Sequence, residues 1–258
     1  MIGIESSHGF GDICFNLPLI KAIHDKYQDS ITVATCSRCK DALYNIPWVS
    51  NIIEIPDMYH GAAELKRLGC DPIFQITQNI RFFEFRESDP NHSLVDTPRL
   101  TGRLIGLQDF DQTPIFIPTN HELQRAGNYI SDRRLIALES IYTSGQSWAD
   151  KHAFDMIFEK YRDTHRILWL SNNGAPDLPF VDKMHNYTRR ELITMLPRCD
   201  KFYSVGSGFF CASLGLQQRP STVCLWRDEF YKYESGLSRL NISHITWVHN
   251  HTELSDCL

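Results

Sequence analysis

The chain has 258 residues, 42% apolar and 22% charged, with a formal net charge of −5 and a pI near 6.1. That acidic balance excludes a general affinity for nucleic acid or an anionic membrane surface, while leaving room for a local basic patch. No apolar run reaches the roughly 18 residues of a membrane span, and the N-terminus lacks the charged-then-apolar order of a signal segment. Eight scattered cysteines read as reduced thiols rather than a disulfide framework, so a cytoplasmic chain is expected.

Four short apolar runs open the chain: IGIES (2–6), ITVAT (31–35), NIIEI (51–55) and PIFQI (72–76). Each is predicted as a strand, with helices between them over Asp12–Tyr27, Arg38–Tyr44 and His60–Leu68. The stretch GLQDFDQTPIFIPT (106–119) breaks the rhythm and is the linker candidate. The alternation then restarts. Strands are predicted at LIALES (135–140), RILWL (166–170), KFYSV (201–205), STVCLW (221–226) and HITWV (244–248). Helices are predicted at Asn120–Ser131, Ala149–Arg162, Thr188–Pro197 and Gly208–Leu216. This pattern predicts an α/β chain of two Rossmann-like, doubly wound parallel-sheet domains, 1–110 and 111–258. Strand C-terminal ends lining a cleft between them are the expected ligand site.

Three strand-to-helix turns carry the candidate chemistry. His8-Gly9-Phe10-Gly11-Asp12 puts two glycines and a carboxylate where a backbone can approach a ligand closely. Asp12 is a helix cap, a reacting carboxylate or both, and the helix N-terminus favours its ionised form in each case. Gly206-Ser207-Gly208 lies between a strand and a helix, as a seat for a diphosphate or as an ordinary tight turn. YTSGQSW (142–148) supplies Thr143, Ser144, Gly145 and Gln146 as polar donors after its strand. Asn172, in LSNNGAP (170–176), is either near a nucleotide base or ribose or part of an Asn-rich turn.

NIRFFEFRE (79–87) interleaves Arg81 and Arg86 with Phe82, Phe83 and Phe85. Such a run suits stacking on a flipped base while holding phosphate; the plainer reading is a helix or loop that buries its phenylalanines. No metal site is assigned. DFD (109–111) falls in the linker, CSRC (36–39) lacks two further zinc ligands, and HNH (249–251) reads as tail polarity.

GDICFNLPLIKAIHDKYQDSITVAT (11–35) resembles the opening of the heptosyltransferase-like glycosyltransferases, glycosyltransferase family nine, and CKDALYNIPWVSNIIEI (39–55) continues the likeness. RLTGRLIGL (99–107), LIALESIYTSGQSWADKHAFDMIFEKY (135–161) and TRRELITMLPRCDKFYSVGSGFFCASLGL (188–216) resemble later segments of the family in the same order. Three positions depart from its pattern. Gly206 stands where the family has an acidic residue, Cys211 near its histidine, and Gln146 near the lysine that meets the donor phosphates.

The resemblance implies a GT-B fold and an inverting, metal-independent sugar transfer from a nucleotide-sugar co-substrate, with no other cofactor. It places Asp12 as the base, with His8, Gly9, Gly11, Arg81, Phe82 and Arg86 on the acceptor side. Thr143, Ser144, Gly145, Gln146, Asn172, Gly206, Ser207, Gly208 and Arg227 fall on the donor side. Lys151, Arg189, Arg190 and Arg227 are the cations that could replace the family lysine. Two acceptors remain open: a saccharide or lipopolysaccharide-type glycan, and a hydroxymethylated pyrimidine in phage DNA. The competing class is a sugar-nucleotide-binding module with weak or no turnover.

Overall fold

The computed structural model describes every residue except 8, 57–59, 140–146, 171–173, 227–231, 241 and 243, and of residues 78 and 79 it describes the backbone alone. The described residues form two compact α/β units. The first comprises Met1–Ile117 and Tyr231–Asn241, the second Pro118–Phe230 and Ile242–Leu258.

In the first unit, β1 (Ile2–Glu5), β2 (Ile31–Thr35), β3 (Val49–Glu54) and β4 (Ile73–Gln75) make a parallel sheet in the order β3-β2-β1-β4. Helices α1 (Phe10–Tyr27), α2 (Gly61–Arg67), α3 (Gln78–Ser88) and α4 (Thr97–Leu104) accompany it. The strands β1 and β2 are buried along their whole length, which is why they read as apolar runs without alternation. The chain leaves β1 for β2 on one side and places β4 on the other, so β1 lies at the reversal of strand order where such sheets bind ligands.

Helix α1 runs through Pro18 and buries Ile13, Cys14, Phe15, Leu17, Leu19, Ile20 and Ile23. Its buried Asn16 donates to Ile76 O (2.8 Å) and Ser6 Oγ (3.2 Å), tying the helix to the ends of β1 and β4. The predicted helix at Arg38–Tyr44 is a single 3-10 turn, Lys40–Leu43.

The second unit runs α5 (Asn120–Asn128), β5 (Arg134–Leu138), α6 (Lys151–Tyr161), β6 (His165–Trp169), β7 (Val181–Lys183), α7 (Arg189–Met195), β8 (Lys201–Ser204), α8 (Gly208–Ser213) and β9 (Thr222–Leu225). After α9 (Tyr233–Arg239), which belongs to the first unit, come β10 (Ile245–Val248) and α10 (His251–Cys257). All neighbours in the sheet order β10-β9-β8-β5-β6-β7 are parallel, and the order reverses at β5 and β8. Its core gathers Ile136, Leu138, Phe154, Ile157, Ile167, Trp169, Tyr203 and Val223.

Three further features differ from the sequence expectation. The units divide after Ile117 rather than at 110/111, because the linker's Phe116 is buried and Asn45 Nδ2 donates to Ile117 O (3.4 Å). Helix α9 then rejoins the first unit. Its Gly236 lies so close to Ser93 that a Cβ would fall 2.1 Å from Ser93 Oγ, and its Tyr233 ring meets Phe15 at 5.6 Å. Ser93 Oγ donates to Lys232 O (2.8 Å), and Arg239 pairs with Asp96. Lastly, HNH (249–251) is a helix start: Asn250 caps α10 by accepting Glu253 N–H at 3.0 Å.

Helices α5 and α7 are joined by a buried ion pair. Arg190 Nε and Nη2 donate to Glu122 Oε1 (2.6 Å) and Oε2 (3.0 Å), with both side chains buried. Removing one partner leaves the other charge buried and uncompensated. Arg190→Met is therefore expected to lower stability by about 3–5 kcal/mol, read as the urea midpoint at unchanged slope. A loss below about 1 kcal/mol would show that the pair does not hold the helices.

Candidate functional site

Asp12 lies inside α1 rather than at its cap. Gly9 is the N-cap residue and has no side chain to offer, so Asp12, three residues on, reaches back to accept the Gly9 N–H. A Cβ at Gly9 would stand 2.8 Å from Asp12 Oδ2, so only glycine leaves the carboxylate in place. Gly11 occupies the same first turn, half-buried; His8 lies outside the described residues.

The Asp12 carboxyl is pushed up to about 7, mainly by burial, with the Gly9 N–H and the Arg38 guanidinium pulling the other way. It nevertheless keeps part of its surface open to solvent. A carboxylate that changes charge near neutral pH and stays reachable suits proton transfer.

Glu5, which ends β1, is almost wholly buried and accepts Gln75 Nε2 (2.8 Å) and Gly61 N–H (3.2 Å). Gly61 has to be small here, since a Cβ would lie 2.7 Å from Glu5 Cγ. Helix α2 and strand β4 are thereby fastened to the end of the strand that leads to Asp12.

The Arg/Phe run forms α3. Phe82 is 0% exposed and Phe83 51% exposed, so the first belongs to the core and only the second faces solvent among the two. Arg81 donates to Gln75 O through Nη2 (3.1 Å) and Nε (3.3 Å), and to Glu84 Oε2 through Nη1 (2.8 Å). The Arg86 guanidinium stands 5.6 Å over the Phe82 ring.

In the second unit the turn after β8 is built around a buried carboxylate that sequence reasoning did not single out. Glu139, directly after β5, accepts Ser204 Oγ (2.7 Å), Val205 N–H (3.1 Å), the Ser207 N–H and the Ser207 hydroxyl. Ser204 Oγ accepts the Gly206 N–H (3.0 Å), and Ser207 Oγ caps α8 by accepting Phe209 N–H (3.1 Å). The N–H groups of Val205 and Ser207, together with the Ser207 hydroxyl, are thus engaged by this carboxylate.

Gly206 has φ +80°, and a Cβ there would fall 2.2 Å from Trp226. The ring above it leaves no room for the acidic side chain found at this point in the resembling family. The one available signal for Glu139 was a lone carboxylate closing the apolar run LIALES. Burial pushes its carboxyl up to about 7 against the pull of its Ser204, Val205 and Ser207 donors.

The remaining donor-side candidates, Thr143, Ser144, Gly145, Gln146, Asn172 and Arg227, lie outside the described residues. The chain on their C-terminal side is tethered. Trp148 Nε1 donates to Val248 O and Ser147 Oγ to Leu225 O, placing that segment at the C-terminal ends of β9 and β10. Of the candidate cations, Arg190 is held by Glu122, and the exposed Lys151 pairs with Asp155 in the next turn of α6. Among the described residues no group of three or more His, Cys, Asp or Glu could hold a metal ion, and no helix is long and apolar enough to cross a membrane.

Glu139 makes a pH signature. Between the ordinary glutamate value of 4.5 and about 7, the folded chain holds a proton here that the unfolded chain has released. The resulting stability is complete below about 4.5 and is lost as pH rises through about 7. Asp12 adds a slope of the same sign, so the comparison is wild type against Glu139→Gln. The variant is expected to lose less stability across this window in urea unfolding. Equal slopes would mean that Glu139 ionises as it does in the unfolded chain.

No family model and no curated protein sequence matches the chain. Solved structures do. The glycosyl transferase family 9 protein of Veillonella parvula superposes with a TM-score of 0.67 at 12% identity, over 97% of this chain and 86% of that one. The ADP-heptose LPS heptosyltransferase II of E. coli gives 0.65 at 11% identity, over 99% and 94%. E. coli heptosyltransferase WaaC with ADP gives 0.55 at 11% identity, over 86% and 87%. These superpositions span nearly the whole chain, and with its two parallel-sheet α/β units the chain has the GT-B fold of the family 9 glycosyltransferases.

Proposed function

We infer that the chain is an inverting glycosyltransferase that moves a sugar from a nucleotide-sugar donor to an acceptor hydroxyl. The observation that carries this reading is Asp12: a carboxylate at the N-terminal turn of α1, buried enough to titrate near 7 and open enough to meet a hydroxyl. As the acceptor oxygen attacks the anomeric carbon, its proton passes to Asp12, the new glycosidic bond forms, and the bond from that carbon to the diphosphate breaks. The leaving nucleotide diphosphate carries the electron pair away. Stabilising that anion falls to the donor side, to Thr143, Ser144, Gly145 and Gln146, as the resemblance of the 135–161 segment implies, with Arg227 one of the candidate cations. The Gly206–Gly208 turn supports that side through its backbone shape, with Glu139 holding it.

A glycan is the acceptor best supported. Heptosyltransferases are among the solved structures that share this fold, and one of them is named an LPS heptosyltransferase. The alternative, a modified pyrimidine in DNA, leaned on the Arg/Phe run; there Phe82 sits in the core and Arg81 is spent on Gln75 and Glu84.

The first test is thermal stabilisation by a panel of nucleotide diphosphates and their sugars, followed by transfer assays with the donor so found. A ligand at a hundredfold excess over its Kd adds about 2.7 kcal/mol, a readable shift. Asp12→Asn is expected to lower kcat by about 10²–10⁴-fold with donor affinity unchanged. For the wild type, kcat/KM should rise with pH through about 7 as Asp12 ionises. A donor that binds without any turnover would instead identify a sugar-nucleotide-binding module, and a variant with unchanged kcat would remove Asp12 from the base role.

A further inference from the structure

The sequence Cys36-Ser37-Arg38-Cys39 follows the end of β2, and the chain turns there, with Cys39 N–H donating to Cys36 O at 2.9 Å. A turn of this kind keeps its outer Cα atoms within about 7 Å, which overlaps the ~4.4–6.8 Å that a disulfide spans. The side chains meet: the Cys36 thiol donates to the Cys39 sulfur across 3.1 Å, and both are reduced. Cys36 is half-buried and reachable; Cys39 is fully buried beneath it. The Arg38 guanidinium hydrogen-bonds both sulfurs. A fixed positive charge beside a reachable thiol favours its thiolate, the form that attacks disulfides. Asp12 is close enough for its charge to be felt at Arg38 and at Cys39.

We propose that Cys36 and Cys39 form a redox-active dithiol that closes to a disulfide by exchange with a small-molecule disulfide. The Cys36 thiolate attacks one sulfur of the reagent, forming a mixed disulfide and expelling a thiolate that takes up a proton. Cys39, whose thiol burial holds well above its ordinary value, then attacks the Cys36 sulfur, its proton passing to the departing reagent thiolate. The Cys36–Cys39 bond forms, and the second reagent thiolate leaves and is protonated. Two protein thiols are oxidised and one reagent disulfide is reduced to two thiols. Closing takes from Arg38 the two thiols it faces, beside the carboxylate assigned as base above. The exchange itself stands whether or not Asp12 acts as a base.

The experiment equilibrates the full chain with reduced and oxidised glutathione at set ratios, alkylates the remaining thiols and weighs the peptides. The peptide spanning residues 36–39 is expected to lose two hydrogen atoms, with a second-power dependence on reduced glutathione that marks an intramolecular disulfide. Cys257, also half-buried, is the internal comparison and should carry at most a glutathione adduct. Cys39→Ser should halt the reaction at an adduct on Cys36. A wild-type chain that keeps a glutathione adduct on Cys36, or shows no change at residues 36–39 across the range, overturns the proposal. The wild-type masses decide the matter even where the Cys39→Ser chain fails to fold.

Discussion

A carboxylate set at the buried end of a parallel strand costs several kcal/mol unless donors close around it, and both units of this chain are assembled around one. Glu5 ends β1 and Glu139 directly follows β5, the strands at which the two sheets reverse their order. In the first unit the donors come from Gly61 and Gln75, so α2 and β4 must arrive at fixed places beside β1. In the second they come from Ser204, Val205 and Ser207, so the turn leaving β8 is drawn in around Glu139. Each glutamate thus converts a desolvation penalty into a positional constraint on the segment that would face a ligand.

Glycine is the complement of that constraint. Gly61 lets α2 start against Glu5, Gly9 leaves room for the Asp12 carboxylate, and Gly206 passes under the Trp226 ring in a conformation that L side chains rarely adopt. Two of the three are close approaches to a carboxylate.

This accounts for what the sequence could and could not tell. Strands buried on both faces must be continuous apolar runs, so IGIES, ITVAT, LIALES and RILWL were readable at sight, and with them the parallel order of the sheets. Helix α9 was not: in YESGLSR the buried face is only Tyr233, Gly236 and Leu237, too short a stripe to stand out, and its glycine and tyrosine meet Ser93 and Phe15, far away in sequence. Helix α10 hid for the opposite reason, its start being announced by Asn250 in a run that looked merely polar. At the site, Gly-x-Gly-Asp marked the α1 turn correctly, while the cap role fell to Gly9. Glu139 was invisible because a single glutamate after four apolar residues has the look of a strand's solvent-exposed end. Only the tertiary arrangement brings Ser204 and Ser207 to it.

Asp12 and Glu139 show why a raised pKa alone does not name a catalytic group. Burial brings both to about 7, yet their surroundings differ in the respect that matters. Glu139 is ringed by two backbone N–H groups and two hydroxyls, and giving up any of them to meet a substrate would loosen the turn it holds. Asp12 meets the Gly9 N–H, feels Arg38 from a distance, and keeps one side open. A carboxylate whose acceptor capacity is filled from within its own fold can only stabilise; one that meets fewer donors among the described residues has lone pairs left for an incoming hydroxyl. The same desolvation therefore accompanies a fastening in one unit and, in the other, a carboxylate with acceptor capacity to spare, the property the proposed base role requires.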